Sequence, residues 1–519
     1  MLKPLRKQRI FSYSAGCHDW VWQGPEIFAQ SYFGHGKVKF LSLEGTIVSA
    51  SDWNNSDYEK LWLYNLHYFD DLVAIASLSR REQHLQWVKQ WINDNALGKG
   101  NGWEPYPISL RLVNWIKWYK RAGVDDEEIC KSIASQAAVL CNSLEYHILG
   151  NHLFANAKAL IFAGCFLKDA IADKCLALGI SILQHQLPEQ FLKDGGHFER
   201  SPMYHEILLW DLLDLINLAQ LSGNKLLGDL INDWSGYAQR ALDWLNVMTH
   251  PDGEVSFFND SAFGIAATSA QIFDYAKSLN LNPAQESLPL LTTLQESGYS
   301  RVNMPLHSLI FDHAALGPSY LLGHAHADTL SIEWSVGLER VLVNSGTSVY
   351  GVSKERLRQR QTAAHNTVSV DNQDSSEVWS GFRVARCAHA SLETARIVEN
   401  TVSLVGSHDG YKRLKGKVLH RREIAIESDL VSIKDSLVGH FNSAETLFHL
   451  HPNIEVNQIS SKEILLILAS GKKVCLRASD PIAVVESTWH PRFGESIPNK
   501  KLCIRFVNLH VDVCFSILR

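Results

Sequence analysis

Hydrophobic positions recur every three or four residues through the first part of the chain, to about residue 290. Between Ser51 and Leu78 they fall at Leu61, Leu63, Leu66, Phe69 and Leu72, a spacing that gathers them on one helical face. Similar stretches follow at 83–97, 107–121, 126–147, 152–169, 172–186, 204–221, 226–247 and 268–279. Turn-forming clusters separate them, among them GKGNG at 98–102, GVDD at 123–126, KDGG at 193–196 and HPDGE at 250–254. This spacing predicts a run of antiparallel helices, either a solenoid or a closed α/α toroid, with no fixed-length repeat to choose between them.

From about Tyr299 the period drops to two. Short alternating runs rich in Val, Ile, Thr and aromatics appear, such as TLSIEWSV at 329–336, REIAIES at 422–428, LVSIKDSLV at 430–438 and LHVDVCFSIL at 509–518. Many short strands between turn signals predict an antiparallel β-sandwich. Helices first and strands afterwards make two packed domains rather than an interleaved α/β fold, with the junction in the Pro/Ser/Gly-containing stretch 282–300. The expected division is a helical domain over 1–295 and a β-sandwich domain over 296–519.

Composition narrows the function. The 519 residues are 46% hydrophobic and 20% charged, ample for a large core. A formal net charge of −6 argues against a nucleic-acid partner held through the phosphate backbone, while leaving room for a local basic groove. Fifteen Trp, 15 Tyr and 21 Phe suit both core packing and the lining of a sugar cleft. The nine cysteines form no CxxC pair and several sit in apolar runs, as free buried thiols of a reducing compartment do. The basic start lacks the apolar segment of a secretory signal, and no window is long enough to span a membrane, so a cytoplasmic location is expected.

Four places concentrate His, Tyr, Arg and Asn. Gly150-Asn151-His152 opens an apolar helix, where Asn is a common cap but where the helix dipole also suits an anionic group. In GGHFERSPMYHE (195–206), Ser201 and Pro202 read as a helix cap and first turn, which leaves the Tyr204-His205 pair without a purely structural reason. A Tyr serves as acid or base if its surroundings lower its pKa, which Arg200 could do. Gly323-His324-Ala325-His326 precedes a strand, and His-x-His suits metal ligation but supplies only two ligands. The cluster from Arg356 through Arg358 and Arg360 to His365 reads either as a solvated charge run or as a site for carboxylates and sulfates.

One chemistry uses all four parts. β-Elimination from a uronic acid needs the C5 carboxylate neutralised, a base for the C5 proton and an acid for the departing O4. In this order the motifs GNHLFANAKAL (150–160), GGHFERSPMYHEILLWDLLDL (195–215), GHAHADTLSIEWS (323–335), LVNSGTSVYG (342–351) and RQTAAHNTVSVDNQDSSEVWSGFRVARCA (360–388) resemble the heparinase II/III-like polysaccharide lyases. The upstream pieces LWLYNLHYFDDL (61–72) and WEPYPISLRLVNWIKW (103–118) are similar to family members found near surface-polysaccharide genes.

The resemblance implies an α/α toroid followed by an antiparallel β-sandwich, with the cleft between them and an anionic uronic-acid polysaccharide or oligosaccharide as substrate. It matches Asn151, with His152, to carboxylate neutralisation, Tyr204 to the acid (and, for some epimers, the base), and His324 to neutralisation or proton abstraction. Arg200, His205, Arg360, Trp379 and Arg383 are the expected substrate contacts. The chemistry implies no cofactor. Some members hold a structural zinc, whose ligands match His326 and His365, while the acidic position falls on Asn344, a poor zinc ligand. His326 is accordingly expected to turn away from the cleft. A glycoside hydrolase on the same scaffold would need two carboxylic acids, with Glu199, Glu206 and Asp260 available. A non-catalytic polysaccharide-binding or assembly protein is the other alternative.

Overall fold

The computed structural model describes residues 17–284 and 287–518. Most of the basic N-terminal segment therefore lies outside the described residues. After an antiparallel hairpin of Lys37–Phe40 and Leu43–Thr46, ten α-helices follow among the described residues: α1 (Lys60–Tyr68), α2 (Arg81–Asp94), α3 (Pro105–Arg121), α4 (Glu127–Leu140), α5 (Gly150–Phe166), α6 (Ala170–Gln190), α7 (Pro202–Ser222), α8 (Lys225–Gly228), α9 (Ile231–Met248) and α10 (Ser269–Ser278). Among these helices none is long and apolar enough to cross a membrane. Local chemistry sets their ends. The Asp126 carboxylate accepts from the Glu128 and Ile129 amides at the start of α4, and Thr268 with Gln271 forms a reciprocal capping box on α10.

Two predicted helices are shorter than their hydrophobic pattern. The stretch 51–78 contains only α1 as α-helix, because Phe69 takes a left-handed conformation (φ 61°) and short 3₁₀ turns follow at Asp70–Val73 and Ser77–Arg80. Phe69 and Leu72 are buried all the same, so the apolar spacing reports burial rather than one continuous helix. The stretch 126–147 ends at Leu140, where Asn142 and Ser143 side chains bond back to the carbonyls of Ala138 and Val139.

Strands fill the rest. A five-stranded antiparallel sheet runs in sequence through Leu291–Leu294, Tyr299–Asn303, His307–Asp312, Ile332–Val336 and Glu339–Leu342. An eight-stranded antiparallel sheet begins as a meander of Ala390–Val398, Thr401–His408, Leu419–Ile426 and Leu430–Val438. His510–Leu518 then pairs between Leu430–Val438 and Lys473–Ala478. A four-stranded sheet joins Ile482–Trp489, Ile497–Arg505, Ala444–His449 and Val368–Val370. Strand Leu419–Ile426 alternates half-buried and buried positions, so His420, Arg422, Ile424 and Ile426 face inward. The core of these sheets includes Leu309, Phe311, Trp334, Leu404, Ile424, Phe448, Leu502 and Phe515.

The chain groups into two compact units. One takes residues up to 186 together with 214–232, and the other takes 187–213 together with everything from 233 onward. The second unit thus holds the start of α7, helices α9 and α10, and the sheets just described.

Candidate active site

In the first unit, Leu149 adopts a left-handed φ of 65° and α5 begins at Gly150, so Asn151 lies inside the first helical turn and is not the cap. Asn151 is buried and His152 half-buried. His152 Nδ1 lies 3.0 Å from Glu145 Oε1, and its ring packs on Tyr106 with centroids 4.2 Å apart. The other Glu145 oxygen accepts from Asn156, whose Oδ1 accepts from the Glu145 amide. The His152 ring is thereby held from one side by a carboxylate and from the other by an aromatic face.

In the second unit, Ser201 caps α7 by accepting from the Tyr204 amide at 3.1 Å, as the sequence predicts. This places Tyr204 in the first turn, its ring 4.0 Å from the His324 imidazole and its hydroxyl 3.0 Å from the Tyr350 hydroxyl. Phe382 lies 6.2 Å from His324 and 5.3 Å from Tyr350, ring to ring.

Asp260 organises this group. The turn at Asn259 (φ 56°) lets the Asp260 amide donate to the His324 carbonyl, while Asn259 Oδ1 accepts from the His326 amide. The Asp260 carboxylate then meets His324 Nδ1 at 2.9 Å, His326 Nε2 at 2.8 Å, the Thr347 hydroxyl at 3.3 Å and the Arg356 guanidinium on both oxygens. Burial alone would push this carboxyl up. Arg356 and the two imidazoles outweigh that and hold it well below the usual carboxylate range. His326 is buried with its ring 5.3 Å from that of His365, and it shares this carboxylate with His324, one ring on each oxygen.

Arg356 lies on α11 (Lys354–Arg360), capped by Ser353. The reading of a solvated basic run fails for this helix, because Arg356 and Arg360, four residues apart on one face, are both fully buried. Arg360 donates to the carbonyls of Ala325, Ser380 and Arg383, and burial lowers its pKa to about 10. It thus ties the His-x-His segment to a hairpin of Glu377–Trp379 and Arg383–Ala385. Trp379 and Arg383 are exposed on that hairpin. Arg200 donates to the carbonyls of Glu296 and Ala315, and His205 is buried with Nε2 against the Ala241 carbonyl. The five expected substrate contacts thus divide into exposed side chains on the hairpin and buried or tethered ones that brace backbone.

Sequence reading assigned no role to Tyr350 and weighed Asp260 only as a hydrolase acid. A charged residue inside the apolar run FFNDSAFG was the available signal, since such a group is buried only when it is paired.

The heparinase II/III N-terminus family model matches residues 51–288, and the heparinase II/III-like C-terminal model matches residues 287–516. The chain belongs to the heparinase II/III family. A heparin-sulfate lyase of Bacteroides stercoris is 22% identical over 486 residues, 83% of this chain and 70% of that one. FtsZ-localized protein C of Caulobacter vibrioides is 24% identical over 473 residues, 84% and 76% of the two chains. A crystal structure of heparinase III aligns with a TM-score of 0.72 at 18% identity, covering 92% of this chain and 79% of that one. That likeness shows the fold expected from the sequence, a helical α/α region followed by antiparallel sheets.

The zinc found in some family members does not fit the donors present here. His326 Nδ1 and His365 Nε2 are buried without a hydrogen-bond partner, and their rings lie 5.3 Å apart. The third corner is the neutral Asn344, whose Oδ1 accepts from the Ser331 hydroxyl at 2.7 Å and faces His365 Nδ1 at 3.2 Å. Among the described residues no group of three His, Cys, Asp or Glu could hold a metal.

Proposed function

We propose that this chain is a polysaccharide lyase that cleaves a uronic-acid-containing glycosaminoglycan by β-elimination. The observation that carries this reading is the Tyr204–His324 pair, a phenol and an imidazole in ring contact, one backed by Tyr350 and the other by a buried carboxylate. Elimination needs one group to take the C5 proton and another to protonate O4, and these two residue types perform both tasks near neutral pH. In the proposed division of labour Tyr204 protonates the leaving O4 and His324 acts at C5. Asn151 and His152 polarise the C5 carboxylate, so that charge developing in the transition state meets fixed donors. Trp379 and Arg383 contact neighbouring sugars, while Arg200, His205 and Arg360 brace the backbone around them.

The family relatives named heparin-sulfate lyases support this reading. The hydrolase alternative loses one of its three carboxyls: Asp260 is held ionised by Arg356 and two imidazoles, so it cannot donate a proton to a leaving group. A binding or assembly role has one observation in its favour, the relative named for localization with FtsZ.

Incubation with a panel of glycosaminoglycans, followed by ultraviolet absorbance, separates the three. Elimination leaves a C4–C5 double bond conjugated to the carboxylate, and absorbance rises. New reducing ends without that absorbance would mean hydrolysis, and binding without either would mean a non-catalytic protein.

A further inference from the structure

The partners of Asp260 dictate where two protons sit. The residue is fully buried, and every hydrogen bond to its carboxylate comes from a side chain that can donate: Arg356 on both oxygens, His324 Nδ1 on Oδ2, and His326 Nε2 with the Thr347 hydroxyl on Oδ1. An ionised carboxylate accepts and never donates. Both imidazoles must therefore carry a proton on the nitrogen that faces Asp260. Arg356 already balances the negative charge, so neither ring has to be a cation to satisfy it. For His324 this leaves Nε2, on the opposite side of the ring and 3.8 Å from the buried Glu199 carboxylate, as the nitrogen without a proton. His324 is the one of the two rings with an open edge: its side chain is 16% exposed against 1% for His326.

We propose that Asp260, braced by Arg356, is the positioning residue that locks His324 in its Nδ1–H tautomer and so makes Nε2 a proton acceptor facing the substrate sugar. His326 serves the same device from the other oxygen, stopping the carboxylate from turning out of the plane His324 needs. The inference rests on the lyase reading above and names which atom accepts the proton. The C5–H bond breaks and its proton goes to His324 Nε2. The electron pair left on C5 forms the C4–C5 double bond as the C4–O4 bond breaks, and O4 leaves with the Tyr204 hydroxyl proton. The imidazolium and tyrosinate that result are in ring contact, and a proton returned from one to the other restores both.

Imidazole ¹⁵N–¹H correlation spectra of the ¹⁵N-histidine-labelled full chain test the tautomer without reference to activity, with the His324 signals assigned by their loss in His324→Gln. The expected spectrum has the proton on Nδ1 and a pyridine-like Nε2. A proton on Nε2 with a bare Nδ1 overturns the proposal.

Asp260→Asn is the kinetic arm. Its amide can offer a donor to Nδ1 and so favours the wrong tautomer. The folded variant should lose ~10²–10⁴-fold in kcat with KM within a few-fold of wild type. Unchanged kcat in folded Asp260→Asn overturns the proposal. If that variant does not fold, the wild-type spectrum decides alone. A wild-type chain that yields no unsaturated product from any glycosaminoglycan sinks the lyase reading, and with it the role of Nε2, even where the spectrum shows the Nδ1–H form.

Discussion

Two buried aspartates in the second unit carry similar partners, Asp435 one imidazole and Asp260 two, and their histidines end differently. Asp435 accepts from Arg422 on both oxygens at 2.8 Å, from His420 at 2.8 Å and from the Thr446 hydroxyl at 2.9 Å. Asp260 likewise has an arginine on both oxygens, a threonine hydroxyl and histidine. At Asp435 the far nitrogen of His420 meets His408 at 3.1 Å, and His408 in turn faces the Gly410 amide at 3.2 Å. Every member there is buried and the network closes on itself. At Asp260 the far nitrogen of His324 lies 3.8 Å from the buried Glu199 carboxylate, with the Tyr204 ring against the imidazole. The same polar knot is fully buried at Asp435, while at Asp260 one of its imidazoles stays partly exposed, as the proposed role of His324 requires.

Breaking the open side should cost the most activity. Tyr204→Phe removes the proposed acid while keeping the ring that packs on His324. Turnover should fall by ~10²–10⁴-fold with the melting temperature nearly unchanged. A Phe variant with near-wild-type rates on the best substrate would remove Tyr204 from the mechanism.

Breaking the closed side should cost stability instead. Arg422→Met leaves Asp435 buried without its main counter-charge, a loss of about 3–5 kcal/mol. Chemical denaturation should show that loss, while the specific activity of the folded fraction stays close to wild type. A large drop in kcat per folded molecule would mean that the closed network also serves the chemistry. Asn151→Ala sharpens the same contrast in the first unit. Because Asn151 is not the cap of α5, the substitution should leave stability within about 1 kcal/mol. It should raise the barrier by about 2.7–4 kcal/mol, the range for losing an oxyanion-type donor. A sharp fall in melting temperature with activity retained would reverse that assignment.

How much of this was legible beforehand follows from what each pattern encodes. The helix-to-strand change near residue 290 was readable because the periods 3.6 and 2 are imposed by backbone geometry. The end of α1 was not, because Phe69 sits left-handed without a Gly to announce it. Ser201 and Pro202 at the start of α7 were local signals and correctly placed Tyr204 on the first turn. The link from Asp260 to His324 and Arg356 joins residues 64 and 96 positions apart, and no local rule reports such a pairing. The burial of Arg356 and Arg360 was hidden for the same reason: a charge run looks solvated until its partners are known.

Acid should weaken both knots in the same direction. Burial is the largest influence on His326 and His420, and it lowers both pKa values despite the neighbouring aspartates, that of His326 to about 4. A group whose folded pKa is depressed contributes stability that is present above its unfolded pKa, here ~6.5, and is lost as pH falls toward the folded value. Each ring then costs at most about 1.4 kcal/mol per pH unit below ~6.5. Melting temperature should decline between pH 7 and 5, and His420→Gln should flatten that decline. An equally steep slope in the variant would mean that His420 does not titrate on unfolding.

The smallest effect belongs to the hairpin. Trp379 is 53% exposed, so Trp379→Ala should leave folding unaffected and raise KM a few-fold at constant kcat. An unchanged KM would place the substrate elsewhere.

The most direct test of the whole account is the absorbance of product released from a glycosaminoglycan by wild-type chain beside Tyr204→Phe and Arg422→Met. The account predicts unsaturated product from wild type, almost none from the Tyr204 variant, and a wild-type rate per folded molecule from the Arg422 variant. Equal rates of unsaturated product from wild type and Tyr204→Phe would contradict it.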